Sequence, residues 1–600
     1  MLAVNLAYAA LGIVLLAPLP GLVLRLLMRV SGTPVLADQD IAYFLLTPFG
    51  IASLILVVGI LVAIAVLAQA SLMFIGVAGP GPKAPALAAL AFAWARLVPI
   101  LGYSVRLVAR VLVLMAPFLA VGAGTAWLLI TDHDINYYLS ARPPAFWLAA
   151  LVIAGLLSAM LALVVRKLIG WSLALPLILF GGISPGRSFP ESERLTQGVR
   201  SRVLGVLIVW ALIAVLLGAL GVGAVQGLGT LIVPRFHNAL RPLVLVLGAL
   251  VAFWALLSFL IASFNGSTFA LAIVELAERL GAPLGGSRGL ALDRMERGPG
   301  WSLSAPRIAA VLVAAGAIAA GTGAWLLGGI EVRDQVSIIG HRAGAGKAPE
   351  NTLAAVRQAI ADGVDWIEID VQEAADGEVV VVHDSDFMKL AGEPLKVWDG
   401  TLEQIRVIDV GGWFGPQFAG ERVPTLREVL EMARGKAGVV IELKYYGHEQ
   451  QLEERVVDLV EAAGMTADVA IISLAYEGIQ RFRALRPDWT IGLLSATAIG
   501  DLTRLDADFL AVSTGLATPG FVRHAKAAGK QVYVWTVNDP VSLSRMMSAG
   551  VDGVITDEPE MARQVMEQRG QMSPVERLLV HTALLFGRPL PQRLYRDDSP

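Results

Sequence analysis

Ionisable residues stand at the ends of four short β-branched runs in the second half of the sequence. VSIIGHR and EVVVVHD each end in histidine followed by a charged residue, at His341 and His383. DWIEIDV carries Glu368 and Asp370 two residues apart, and VVIELK carries a glutamate and a lysine at the same spacing. Residues two apart on a strand project from the same face. Hydrophobic strands do not need these side chains for packing, so we interpret them as a candidate site.

The carboxylates indicate a cation site. Glu368, Asp370 and Glu442 form a set of oxygen ligands of the kind that Mg²⁺ and Ca²⁺ prefer. A divalent cation held by such residues can neutralise charge that builds on a phosphoryl group during its transfer. The residue types therefore favour phosphodiester hydrolysis with Ca²⁺ or Mg²⁺ as cofactor.

The remaining charged strand ends fit the same chemistry. His341 and His383 are suited to act as general base and general acid on opposite sides of an in-line displacement. Arg342 can neutralise phosphoryl charge, and Lys444 adds a second fixed positive charge. Gly344 and other glycines after the first strand allow the backbone to turn tightly beside a phosphate.

The elements that must position these residues follow the pattern of a parallel α/β barrel. After residue 330, β-branched runs alternate with amphipathic stretches, and the carboxyl ends of barrel strands form an active-site mouth. Nine runs are present, one more than a (β/α)8 barrel needs. The turn EAADG is too short for a parallel crossover, so we expect DWIEIDV and EVVVVHD to form a hairpin. The predicted parts are a barrel at 331–570, an insertion near 385–424 and a tail at 571–600.

The first 330 residues have the texture of a membrane domain. They contain repeated charge-free runs of about 20 residues, the length that crosses a bilayer. Two further segments, near 84–104 and 171–185, are predicted to lie at the interface. The seven predicted spans lie near 5–27, 44–72, 107–130, 146–166, 203–226, 243–265 and 307–328.

The distribution of Lys and Arg predicts the orientation of these spans. Alternate loops hold 14 and 4 basic residues, and the poorer set includes the acidic TDHDINYY at 131–138. Basic loops stay in the cytoplasm. We therefore predict a multi-pass protein of the bacterial inner (cytoplasmic) membrane, with membrane lipids as neighbours and its barrel outside the cytoplasm.

Charge and composition exclude other classes of function. The 20 Lys+Arg and 10 Asp+Glu of residues 1–330 leave 27 and 40 for the rest, out of totals of 47 and 50. The absence of a basic stripe argues against nucleic acid as a partner. Cysteine is absent, which rules out thiol and disulfide chemistry. Histidines outside the four strand ends, including His133, are expected to be structural or exposed, and Asp557 is expected to cap a helix.

The segment GHRAGAGKAPENTLAAVRQAIADGVDWIEIDVQEAADGEVVVVHD, with VVIELK, VYVWTVND and GVDGVITDEP, resembles the glycerophosphodiester phosphodiesterases. The motifs follow that family's order and spacing over about residues 336–562. The resemblance implies a TIM barrel with an inserted segment, a divalent metal, and cleavage of glycerophosphodiesters to glycerol 3-phosphate and an alcohol. The membrane part, including WSLALPLILFGGISPGRSFPESERL, is similar to the membrane domain fused to some bacterial members.

The resemblance also implies a role for individual residues. The residues that match catalytic or phosphate-binding positions are His341, His383, Arg342 and Lys444. Those that match the metal ligands are Glu368, Asp370 and Glu442. Those that match supporting or substrate-contacting positions are Glu350 and Asn351, in the Pro-Glu-Asn-Thr turn, and Trp535, which walls the pocket. Ala343 stands where the family usually has glycine.

Other functions are compatible with the same residues. The barrel could serve a lysophospholipase D, a hydrolase of lipid-derived or glycerophosphate-decorated envelope polymers, or an inactive sensor for a membrane domain that binds or transports a ligand. The presence of every metal ligand and both histidines argues against the sensor. A link of about eight residues between the last predicted span and the first strand reaches at most about 27 Å. Such a short link predicts that the barrel mouth points away from the bilayer.

Overall fold

The computed structural model describes residues 1–11, 35–78, 86–236, 240–284 and 336–572. The chain divides into two compact units. One comprises Met1–Pro34, Tyr43–Thr125 and Leu151–Gly323, and the other comprises Val35–Ala42, Ala126–Ala150 and Ala324–Pro600. Two short pieces from the first 330 residues therefore belong to the unit that contains the C-terminal half.

The first unit is helical. Its described part contains five helices long and apolar enough to cross a membrane, and they overlap five of the seven predicted spans. The predicted span at 307–328, most of that at 5–27, and the tail beyond 572 lie outside the described residues. The five apolar helices are Pro48–Val77, Leu97–Ile130, Pro144–Leu179, Arg200–Ile232 and Leu245–Arg279.

Shorter helices pack against these long ones. Ala174–Leu179 lies within the predicted interfacial segment 171–185, and all six of its residues are buried. Its leucines share an apolar cluster with Phe74 and Phe189. The other short helices from the first 284 residues are Leu2–Leu11, Gln39–Leu46, Ala86–Ala95, Ile135–Ala141 and Pro185–Thr196.

The second unit contains a closed barrel of eight parallel strands, so the predicted fold class is confirmed. Counting strands along the whole chain from β1 (Val35–Ala37), the barrel strands are β2 (Ser337–Gly340), β3 (Trp366–Glu373), β7 (Gly438–Leu443), β8 (Val469–Ser473), β9 (Thr490–Ser495), β11 (Phe509–Ser513), β12 (Gln531–Trp535) and β13 (Gly553–Thr556). Strand β2 pairs with both β13 and β3, which closes the barrel.

Alternation along the strands separates two layers of core. Ile338 packs against the surrounding helices, whereas its neighbour Ile339 packs inside the barrel. Val439 and Val440 divide in the same way on β7. This period of two decides which side chains face the barrel interior. The helices around the barrel are Leu353–Ala361, Leu426–Ala433, Leu452–Ala463, Tyr476–Leu485, Pro519–Ala527, Pro540–Ala549 and Pro559–Gln571.

The predicted hairpin is present. Strand β4 (Val379–Val381) runs antiparallel to β3, with Val371 opposite Val381. The region 385–424 then forms its own apolar cluster with Val380 and Val382 from the end of the hairpin. Its elements are β5 (Asp386–Phe387), the helix Met388–Ala391, β6 (Glu393–Lys396) and the helix Leu402–Ile405.

The two short pieces from the first half of the chain join the barrel unit at different places. Strand β1 pairs antiparallel with β10 (Ala498–Gly500), which follows β9. Asp38 fixes this contact, because its side chain accepts hydrogen bonds from the backbone nitrogens of Ala496 and Thr497. The second piece carries the helix Ile135–Ala141.

Candidate active site

Strand register points the metal-binding candidates into the barrel. Ile367, Ile369 and Val371 of β3 pack outward against helices, so Glu368 and Asp370 between them face inward. On β7, Val440 lies inside the barrel and Glu442 follows it by two residues, toward the carboxyl end. All three carboxylates therefore reach the mouth.

The three carboxylates converge. Glu368, Asp370 and Glu442 are buried, and one oxygen from each lies within 4.8 Å of the other two. Among the described residues, Glu368 Oε1 is buried and has no hydrogen-bond partner. An unsatisfied buried carboxylate oxygen costs free energy that a cation would offset. The donor set and this free oxygen fit a hard divalent cation.

Electrostatics around the carboxylates supports this fit. Burial, reinforced by the charge of Asp370, raises the pKa of Glu368 to about 8. Burial also raises the pKa of Glu442, although Lys444 opposes the shift. Lys444 Nζ lies 3.0 Å from Asp370 Oδ1 and 2.6 Å from Glu442 Oε1. Despite burial, Lys444, His383 and Arg342 hold the pKa of Asp370 well below its usual value. One lysine thus neutralises part of the negative charge, and Glu368 is the carboxylate left least compensated.

A tight turn after β2 places Arg342. Arg342, Ala343 and Gly344 have φ values of 47°, 68° and 78°, the left-handed region that favours glycine. The turn is held by the backbone nitrogen of Arg342, which donates to Glu368 Oε2 at 2.7 Å. The departure at Ala343 therefore falls where a Cβ is strained, at a cost of about 1–2 kcal/mol relative to a relaxed backbone.

Glu350 holds the guanidinium of Arg342. Arg342 Nη1 donates to Glu350 Oε1 at 3.0 Å, and Lys389 Nζ donates to Glu350 Oε2 at 2.9 Å. Although burial opposes ionisation, these two cations lower the pKa of Glu350 to about 2. Glu350 is therefore a charged support that keeps Arg342 at the mouth.

Asn351 supports a metal-ligand candidate directly. Its Nδ2 donates to Asp370 Oδ2 at 2.8 Å, and its Oδ1 accepts from the backbone nitrogen of Asp370 at 3.2 Å. The cap of the following helix is Thr352, whose hydroxyl accepts from the nitrogen of Ala355. Asn351 thus acts on the site, and Thr352 alone caps the helix.

His341 is oriented by Asp557. The two side chains contact each other through His341 Nδ1 and Asp557 Oδ1 at 2.7 Å. Burial alone would lower the pKa of His341, but the Asp557 carboxylate outweighs it and raises that pKa. Asn538 donates to the other oxygen of Asp557. The expectation that Asp557 merely caps a helix is wrong, because its side chain serves His341.

His383 has a different environment. Its Nδ1 lies 2.7 Å from Asp384 Oδ1, yet burial and the positive charges of Arg342 and Lys444 lower its pKa well below the usual value. One histidine is therefore biased toward the charged form and the other toward the neutral form. An acid and base pair needs this difference.

These groups line one cavity at the mouth. Trp535 forms part of its wall, packs against the inner core, and donates from Nε1 to the carbonyl of Ala511 at 3.0 Å. The apolar wall also contains Ile472 and Ile555. The predicted residues in the lining are His341, Arg342, Glu368, His383, Glu442, Lys444 and Trp535.

Several supporting residues escaped the sequence analysis. Asp557 follows β13 and Asp384 follows His383, so the strand-end rule that found the histidines applies to both. Gln372 Nε2 donates to the carbonyls of Val382, His383 and Asp384, and nothing in the sequence indicates that role.

Oxygen ligands for a cation beside paired histidines, at the mouth of a parallel barrel, characterise TIM-barrel phosphoric diester hydrolases. Residues 341–561 match the glycerophosphoryl diester phosphodiesterase family. Residues 1–278 match the membrane domain of glycerophosphoryl diester phosphodiesterase. The chain therefore belongs to the glycerophosphodiester phosphodiesterase family, is a phosphoric diester hydrolase, and carries that family's membrane domain.

Individual relatives align with the barrel. A glycerophosphodiester phosphodiesterase of Caldanaerobacter subterraneus subsp. tengcongensis is 35% identical over 243 residues, which are 39% of this chain and 98% of the relative. One from Bacillus subtilis is 28% identical over 254 residues, covering 39% of this chain and 87% of the relative. The structure of an Oleispira antarctica phosphodiesterase with the product sn-glycerol-3-phosphate is 28% identical, with a TM-score of 0.37, over 38% of this chain and 96% of that one.

Proposed function

We propose that this protein hydrolyses glycerophosphodiesters to glycerol 3-phosphate and an alcohol in a reaction that requires a divalent cation. One observation carries the proposal. Three buried carboxylates lie within 4.8 Å of one another at a cavity that two histidines and two cationic side chains also line. The names of the relatives agree with this substrate class.

Glu368, Asp370 and Glu442 would hold the cation, which is Ca²⁺ or Mg²⁺ because the ligands are all carboxylate oxygens. When bound, the cation supplies positive charge that stabilises the phosphoryl oxygens in the transition state. The orphaned oxygen of Glu368 and the amide of Asn351 behind Asp370 keep this ligand set in place.

The histidines carry the proton transfers. Each Nδ1 contacts a carboxylate, from Asp557 or from Asp384, so Nε2 is the nitrogen available to the reactants. One histidine accepts a proton from the attacking hydroxyl group, and the other donates a proton to the oxygen of the departing alcohol. Arg342 supplies a further fixed positive charge for the phosphate.

The walls of the cavity assist by excluding water. Ile472, Leu494 and Ile555 present apolar surface beside the charged groups. A lower local dielectric strengthens the attraction between fixed cations and phosphate oxygens. The apolar wall and the charged rim thus act on the same bound group.

We also propose that the protein lies in the bacterial cytoplasmic membrane with the barrel outside. The Lys and Arg bias of 14 to 4 supports this orientation. The bias assigns the connections around 35–42 and 131–143 to the outside, and both contact the barrel. The barrel and these connections must then share one side of the membrane.

Protease accessibility tests this orientation. In intact spheroplasts we expect an added protease to digest the barrel, while a tag at the N-terminus stays protected until lysis. Immunoblots against the two ends measure both events. Digestion of the N-terminal tag together with protection of the barrel would show that the orientation is inverted.

A comparison of substrates tests the proposed reaction class. We expect the full-length protein in detergent to release glycerol 3-phosphate from glycerophosphocholine faster than it cleaves lysophosphatidylcholine, at equal substrate concentration. Enzymatic detection of glycerol 3-phosphate, choline and lysophosphatidic acid distinguishes the products. A higher kcat/KM on lysophosphatidylcholine, with lysophosphatidic acid as product, would identify a lysophospholipase D instead.

A further inference from the structure

A short connection between two apolar helices lies in the barrel unit. Helix Leu97–Ile130 ends and helix Pro144–Trp171 begins on either side of it, and Ala126–Ala150 groups with the barrel. The connection contains the helix Ile135–Ala141, capped by Asp134. Its buried residues are Asn136 and Tyr138. Burial of an asparagine in a polar connection indicates a specific partner.

The partner of Asn136 is the carboxylate behind His383. Asn136 Nδ2 donates to Asp384 Oδ1 at 2.7 Å and lies 3.4 Å from His383 Nδ1. Asp384 Oδ1 is also the atom that contacts His383 Nδ1, at 2.7 Å. Asn136 is 8% exposed and Asp384 is 2% exposed, so water cannot easily replace the amide. One carboxylate oxygen therefore joins an amide from the connection to a histidine at the mouth.

Asp384 has few other groups to fix its orientation. Within the described ranges, its Oδ2 is buried and has no hydrogen-bond partner. Its Oδ1 bonds only to His383 and Asn136 among those residues. Removing the amide would leave the histidine itself as the only hydrogen-bond partner of this buried carboxylate. The orientation of the His383 ring therefore depends on Asn136.

Further contacts hold the connection against the same part of the barrel. His133 Nδ1 lies 3.0 Å from Asp386 Oδ2. Asp134 Oδ2 accepts from the backbone nitrogen of Ser385 at 3.4 Å and lies 3.3 Å from the hydroxyl of Tyr446. That hydroxyl donates to the carbonyl of His383 at 2.9 Å. Three successive residues after His383 thus each meet the connection.

We propose that Asn136 is a positioning residue for His383, acting through Asp384. The complete active site then includes a residue from the connection between two apolar helices. The proposal rests on the proposed function, in which His383 transfers a proton. It also contradicts the prediction drawn from the short link after residue 328. That prediction turns the mouth away from the bilayer, whereas a residue between two apolar helices lies at the mouth.

Kinetics of the full-length protein in detergent, with glycerophosphocholine as substrate, test the role of Asn136. We expect Asn136→Ala to lower kcat about 10- to 100-fold, as loss of a hydrogen bond to a charged group does. KM should change by less than about threefold, because Asn136 does not line the cavity. The double variant with Asp384→Asn should be no more than about twofold slower than Asp384→Asn alone, since both act through one carboxylate.

Two matched variants separate positioning from simple docking. Ser140→Ala lies on the same helix and removes bonds only to carbonyls of that helix, so we expect wild-type kinetics. His133→Ala removes a docking contact that ends on Asp386, and we expect a smaller loss of kcat than for Asn136→Ala. Asn136→Ser serves as a second test, with the same kcat loss expected, if the alanine variant does not fold.

Three results would overturn the proposal. The first is wild-type kcat in Asn136→Ala. The second is an equal loss in His133→Ala and Asn136→Ala, which would show that docking alone matters. The third is an additive loss in the double variant. Failure of the proposed function is recognised separately, because the wild type itself would then release no glycerol 3-phosphate.

Discussion

Replacing either histidine at the mouth with alanine is expected to lower kcat roughly 10²- to 10⁴-fold, the range that general acid–base catalysis contributes. His341 and His383 each have a carboxylate on Nδ1 and line the same cavity. Because both serve a single reaction, the double variant should lose far less than the product of the single losses. Steady-state kinetics on glycerophosphocholine measure each variant.

A matched histidine provides the control. His524 is exposed and contacts Asp501 and Thr503, away from the cavity lining. His524→Ala should therefore keep kcat within about twofold of wild type, consistent with a surface substitution. Circular dichroism checks that each variant is folded. A folded His341→Ala or His383→Ala enzyme with near wild-type kcat would remove that histidine from the mechanism.

Removal of the cation is expected to abolish activity. Three buried carboxylates with one lysine between them leave uncompensated negative charge, which a divalent cation would neutralise. Excess chelator should reduce turnover to background, and Ca²⁺ or Mg²⁺ should restore it. Glu442→Gln should lower cation affinity roughly 10-fold or more, as losses at metal sites do, with activity falling in parallel. Isothermal titration calorimetry measures the affinity.

An acidic residue outside the cavity provides the control for cation binding. Glu454 is exposed near the start of the helix Leu452–Ala463, and Glu454→Gln should bind the cation as wild type does. Full turnover in excess chelator, with the metal content of the protein shown to be negligible, would contradict the assignment. So would unchanged cation affinity in Glu442→Gln.

The mouth residues were predictable because their placement is local to each strand. Glu368 and Asp370 alternate with Ile367 and Ile369, and the period of two decides which pair enters the barrel. The closure of a parallel barrel then brings strand ends together wherever they lie in the sequence. Strand pattern and fold class together were sufficient to predict these positions.

The supporting contacts were harder to predict because they depend on tertiary packing. Asn136 lies 247 residues before His383, in a connection whose only visible feature is an acidic, polar composition. Asn351 looks like a helix cap but bonds to Asp370, since Thr352 next to it takes the cap. Local patterns cannot show which of two neighbouring polar residues turns inward.

The apolar helices were predicted in number better than in length. Leu97–Ile130 is 34 residues long, whereas the predicted span was 107–130. The additional turns include Arg106 and Arg110, which interrupt a charge-free run without ending the helix. Hydropathy detects the apolar centre of a span, and a helix continues as long as its backbone and packing permit.

The most direct test of the account is the identity of the phosphorus product. The full-length protein, purified in detergent and supplied with Ca²⁺ or Mg²⁺, is incubated with glycerophosphocholine and followed by ³¹P nuclear magnetic resonance. Metal-dependent hydrolysis at the barrel mouth predicts that the diester signal is replaced by that of glycerol 3-phosphate, and that Glu442→Gln slows this conversion sharply. An unchanged diester signal, or phosphocholine as the product, would contradict it.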